Sequence, residues 1–141
     1  MFKIKQLTQP FISVDLVLFF LRITVGSLIF INHGIEKIFT FNQMLSIFPD
    51  PVGIGQFPSL IFALLADGIC SILLIFGLFT RISAFVLSIN LLVALVLFHK
   101  LQITEVHGEL VAVYLAITLM LFLYGSGNIS IDKLLNNKFT K

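Results

Sequence analysis

Arg22, His33, Lys37, Asp67 and Asn90 are polar side chains set into runs of sequence that are otherwise apolar. Asp67 is the most demanding. An acid at the centre of a membrane-spanning helix costs roughly 2.5–3.5 kcal/mol on insertion scales, so it needs a partner or a use. Candidates come from the first apolar run, where Arg22, Gly26, Phe30, His33 and Lys37 follow at spacings of 4, 4, 3 and 4. On a helix this spacing forms one stripe. Ionisable groups in a span turn toward the bundle interior, so the stripe is the inward face and Gly26 lets a second helix approach closely.

Two pairings for Asp67 stay open, and they predict different chemistry. At ~1.5 Å rise per residue, Arg22 stands about 9 Å up from the end of the bundle that carries the termini, Asn90 about 12 Å, Asp67 about 18 Å and His33 about 25 Å. Against Arg22, Asp67 is one half of a permanently ionised pair that fixes packing. Against His33, the two groups form a proton-accepting dyad suited to a quinone or similar acceptor that takes up protons with electrons. Cα–Cβ bonds tilt toward a helix's own N-terminus, which leans His33 and Asp67 toward each other and so favours the second pairing.

A second polar layer of Glu36, Lys37, His99, Lys100, His107 and Glu109 is expected at the far end of the bundle. His107-x-Glu109 has weak metal-ligand spacing, and solvated loop residues explain it better, so no metal is expected. Nothing resembles a phosphate-cradling loop, a haem-attachment cysteine pair or a Ser–His–Asp nucleophile. The single cysteine, Cys70, allows no internal disulfide, and its apolar surroundings make it a packing residue.

These side chains must be positioned by membrane helices. Hydrophobic residues make up 58% of the 141 and charged ones 11%, against about 25% charged in soluble domains. Mean hydropathy is +1.08. A net charge of +2 with scattered lysines excludes a nucleic-acid stripe. Four apolar segments emerge, at about 16–39, 60–79, 82–98 and 109–124, each long enough with its flanks for a span of ~17–25 residues. The N-terminal segment starts basic but lacks a small-x-small cleavage site, so it reads as a retained helix.

Segments two and three are expected to meet at a tight turn around Thr80-Arg81. Between one and two, "TFNQMLSIFPDPVGIGQFPS" carries Asp50, Pro51, Gly53, Gly55 and Pro58, which break any helix. So long a connection in a short chain reads as a functional or re-entrant loop, here a lid made by Asp50, Pro51, Gly53 and Gly55. The tail over 131–139 places Ile131, Leu134, Leu135 and Phe139 on one face, as in a short helix lying on the membrane surface. Lys3, Lys5, Arg81, Lys133, Lys138 and Lys141 share the side of the termini, against Lys37 and Lys100 opposite. The positive-inside rule therefore places both termini in the cytoplasm. The expected architecture is an all-α integral membrane four-helix bundle, a single domain with its long loop outside.

"LRITVGSLIFINHGIEKIF", "DPVGIGQFPSLIFALLADGI", "GLFTR" and "GSGNISID" resemble, in their order, the DoxX family of small four-helix bacterial membrane proteins. His33-Gly34 with Lys37, and the Asp50–Gly55 segment, are the most specific pieces. The chain departs from the family in carrying Asp67 where glutamate is typical, one methylene shorter in reach. The resemblance implies a protein of the bacterial cytoplasmic (inner) membrane associated with redox chemistry, since relatives include a membrane subunit of a thiosulfate:quinone oxidoreductase and partners in oxidative-stress complexes. The leading expectation is thus a quinone-linked oxidoreductase subunit. Its interior site would use Arg22, His33, Lys37, Asp67, Asn90 and Glu109, with no covalent cofactor, a quinone as the exchangeable one, and a redox partner protein alongside membrane lipid. The alternatives are a non-catalytic scaffold or assembly factor, or a small transporter, which in so short a chain requires a homo-oligomer.

Overall fold

The computed structural model describes residues 11–102, 104 and 106–139. Lys3, Lys5 and Lys141, which enter the topology argument, lie outside the described residues, as does the side chain of Phe139. All regular structure among the described residues is helical. Four helices are long and apolar enough to cross a membrane: α1 (Val14–Phe39), α3 (Gln56–Phe76), α4 (Thr80–Phe98) and α5. Helix α5 runs over Val106–Tyr124. The short α2 (Phe41–Leu45) lies within the long connection, and α6 (Ile131–Phe139) closes the chain.

Helix ends follow local chemistry. Ser13 caps α1, its hydroxyl accepting the Leu16 N–H. Helix α3 begins at Gln56, earlier than the sequence suggests, because Pro58 stands in its first turn, where no intrahelical N–H is needed. Pro58 therefore opens a helix where it was expected to break one. Helix α3 ends at Gly77, whose φ of 67° is the left-handed C-cap conformation glycine adopts at least cost. The tight turn is thus Gly77–Phe79, and Thr80 and Arg81 already belong to α4.

The core is a contiguous cluster that includes Leu18, Val25, Ile29, Leu74, Leu87, Leu91 and Leu121. Outward, Phe20, Ile31, Ile69, Ile82, Met120 and Leu123 are each more than half exposed. An apolar outer surface around backbone whose hydrogen bonds are internal suits lipid as solvent. Helix α1 packs on α3 and α4 on α5. At the first contact Gly26 is required: a Cβ there would stand 2.9 Å from the Ser71 carbonyl oxygen and 2.7 Å from Ile75 Cγ1.

"GSGNISID" ties the end of the bundle where the chain enters. Asn128 donates its backbone N–H and its side-chain amide to the Asp15 carboxylate, at 2.8 and 2.9 Å. Arg22 donates to the Ile129 carbonyl. Asp132 accepts the Phe79 and Thr80 N–H groups at 2.7 and 3.0 Å, capping α4 from a remote part of the chain.

The long connection is anchored by Asp50, which accepts the Ile54 and Gly55 N–H groups at 3.0 and 2.8 Å and the Ser59 hydroxyl at 3.1 Å. The Gly55 N–H is the main cause holding the Asp50 carboxyl below its ordinary value. A depressed folded pKa contributes stability above the unfolded value and loses it as pH falls through the folded one. Proteolysis at the 50–55 loop is therefore expected to stay constant from neutrality to about pH 4 and to accelerate below it. In Asp50→Asn the rate should be raised and lose that acid dependence.

Candidate functional site

The polar centre of the bundle is built from three helices. Lys37 Nζ of α1 lies 2.9 Å from Asp67 Oδ2 of α3, an ion pair with side chains 11% and 7% exposed. Asn90 of α4 donates its amide to Asp67 Oδ1 at 2.9 Å. Lys37 also donates to the His33 carbonyl at 3.3 Å. Both carboxylate oxygens are thus engaged, and the ammonium, with three donors, keeps one beyond these two acceptors.

This geometry corrects the pairing expected for Asp67, whose ion-pair partner is neither Arg22 nor His33 but Lys37. Lys37 leans toward the N-terminus of α1 for the same reason His33 does, and its long stem carries the ammonium down to the level of Asp67. The imidazole of His33 stays within electrostatic range of Asp67, Lys37, Glu36 and His107, and makes no hydrogen bond among the described residues. It is half-buried beside the pair.

Arg22 belongs elsewhere. It lies fifteen residues from Lys37 on one helix, about 22 Å away along the axis. It is 1% exposed, packed against Gly77 and hydrogen-bonded to Ile129 in the closing segment. Glu109 also stands apart, exposed on the first turn of α5, with no hydrogen bond or ion pair to the cluster among the described residues. The carboxylate of Asp50 is taken up within its own loop, together with the N–H groups of Ile54 and Gly55, while Pro51 and Gly53 contribute to the turn. No group of three or more metal-ligating side chains occurs among the described residues.

A feature outside the sequence reading surrounds the pair. Three spans contain a π-helical turn: Phe30–Gly34 within α1, Leu65–Cys70 within α3 and Ala94–Phe98 as the last turn of α4. The first contains His33 and the second contains Asp67, and these two turns pack against each other. Such turns rearrange backbone hydrogen bonding and recur at functional sites. Here the Asp67 carbonyl accepts the Ser71 hydroxyl. Gly34 presses so closely on the same carbonyl that a Cβ would stand 2.6 Å from its oxygen. The only sequence signals of these turns are the Gly34 and Gly68 within them, which carry no period of their own.

The sequence pattern of the DoxX family matches residues 17–100, a stretch that contains Lys37, Asp67, Asn90, His33 and the Asp50–Gly55 loop. Comparisons with curated proteins and with solved structures return no match. With four apolar helices and this match over more than half its length, the chain is a multi-pass membrane protein that belongs to the DoxX family.

Proposed function

We propose that this protein is the membrane subunit of a redox system that receives a quinone or small reductant beside the Lys37–Asp67 pair. The observation that carries the reading is a buried ammonium–carboxylate–amide cluster enclosed by π-helical turns, with an unengaged imidazole at its edge. A quinone carbonyl needs hydrogen-bond donors while it gains electrons, and protons as it becomes a quinol. The remaining N–H of Lys37 and the imidazole of His33 supply the first. His33, re-protonated from the aqueous side, passes on the second, while Asp67 stays ionised as the partner of Lys37. Electrons come from a partner protein or enter with the small reductant, because these side chains offer no carrier of their own. The Asp50–Gly55 loop is the lid over the outer mouth. Both termini face the cytoplasm of a bacterial inner membrane, in keeping with the lysine and arginine asymmetry.

Titration of purified protein with a short-chain ubiquinone or menaquinone analogue tests the site. Saturable binding is expected, weakened about tenfold or more in His33→Ala, the scale of one hydrogen bond to a charged or polarised group. Wild-type affinity in that variant removes His33 from the site. A second reading, a non-catalytic scaffold, is favoured by the complete engagement of both Asp67 oxygens, which by itself locks α1, α3 and α4 together.

A further inference from the structure

Helix α1 carries a second polar row besides the inward one that holds Arg22 and Lys37. Displaced by two residues, about 200° round the helix, Thr24, Leu28 and Asn32 recur at spacings of four, and all three are exposed. Asn32 falls in the π-helical turn Phe30–Gly34, whose wider turn offsets the drift of a four-residue row on a regular helix. At ~1.5 Å per residue, Thr24 stands about 15 Å into α1, and Asn32 about 10 Å short of its end at Phe39. Ile38 and Phe39 are exposed above Asn32, and Phe20 below Thr24. Both polar groups therefore lie within the apolar belt of the bundle.

Neither side chain is satisfied there. Asn32 donates one amide N–H to the Leu28 carbonyl at 2.9 Å, which leaves its second N–H and its carbonyl oxygen without partners among the described residues. The Thr24 hydroxyl makes no hydrogen bond among the described residues. Hydrocarbon offers no partner to either, and lipid headgroups lie outside this depth. Polar groups on a span are answered by another span, through hydrogen bonds between helices. An amide both donates and accepts, so an identical amide is its complement. Copies of one chain share one orientation in the membrane. A two-fold axis along the membrane normal then sets each Asn32 opposite its counterpart at equal depth. Helices that cross near Leu28 diverge beyond Asn32, which leaves the exposed Glu36 of each copy, one turn further on, to water.

We propose that two copies of this chain associate through the outward face of α1, with reciprocal hydrogen bonds between their Asn32 amides and Thr24 in the same seam. The interface is separate from the redox reading of the Lys37–Asp67 pair and stands or falls independently of it. Sedimentation equilibrium of the purified full chain in density-matched micelles is the test, joined to oxidative cross-linking. A reversible dimer is expected, its dissociation constant raised about tenfold or more in Asn32→Leu, the scale of two reciprocal hydrogen bonds between helices. Thr24→Val, which keeps the side-chain shape, should raise it several-fold. Both positions are exposed, so neither change removes core packing. Thermal unfolding checks that both variants fold, and Thr24→Val carries the test if Asn32→Leu does not. In a Cys70→Ala background, Leu28→Cys should cross-link two copies on mild oxidation. Met120→Cys, at an exposed position of α5, should not. A monomer at every ratio of protein to detergent overturns the proposal. So does a dimer unchanged in the folded variants, or one that cross-links as readily through Met120→Cys as through Leu28→Cys.

Discussion

Asp67→Ala is expected to destabilise the folded protein by about 3–5 kcal/mol, measured by denaturation in mixed micelles with increasing dodecyl sulfate. The magnitude comes from what the substitution leaves behind. Lys37 keeps only the His33 carbonyl at 3.3 Å for an ammonium whose side chain is 11% exposed. Asn90 loses the acceptor of its amide. A buried charge stripped of its partner costs more than the intact pair contributes, because the desolvation has already been incurred. A loss below about 1 kcal/mol, the level of a solvated surface pair, would mean that water reaches the pair.

The paired substitution Lys37→Met with Asp67→Leu separates the two functional readings. Removing both charges removes both desolvation terms, so most of the stability lost in Asp67→Ala should return. If the cluster binds quinone, this stable double variant binds none. If it only locks α1, α3 and α4, partner-linked activity per folded molecule stays at the wild-type level. Stability and function thus move in opposite directions under the first reading and together under the second.

How far the site was legible in the sequence depends on the range of the forces involved. Apolar run lengths define the four spans because lipid imposes a length and a polarity on each helix separately. The stripe from Arg22 to Lys37 likewise follows from helical period. The partner of Asp67 was not legible, because it depends on where a flexible lysine stem ends rather than where its Cα lies. Bond direction favoured His33, yet the same tilt acting on a longer side chain brings Lys37 to the carboxylate. That reach also lets an acid as short as Asp67 close the contact at 2.9 Å. Nor was the cap of α4 by Asp132 legible, since it joins residues 52 and 53 positions apart. The π-helical turns depend on how α1 and α3 pack, which leaves no local trace beyond small residues.

Gly34→Ala is expected to disrupt the site more than its single methyl suggests. The added Cβ would lie 2.6 Å from the Asp67 carbonyl oxygen, 3.1 Å from its carbon and 3.0 Å from Phe30 Cδ2. Phe30 can rotate away. The carbonyl cannot, because it belongs to the backbone of α3 and already accepts the Ser71 hydroxyl. Relief therefore requires α1 and α3 to separate where Lys37 meets Asp67. Overpacking of this kind costs about 1–3 kcal/mol and more where the backbone must move, and the lengthened ion pair adds to it. Gly68→Ala is the matched control, one π-helical turn across, where a Cβ would meet only Leu64 Cδ1 at an ordinary 3.7 Å. Alanine there should be neutral or stabilising by up to about 1 kcal/mol, since it removes the glycine penalty in a helix. Unfolding of the two variants in the same micelles checks the contrast. Equal stability for both would mean that α1 and α3 do not meet at Gly34.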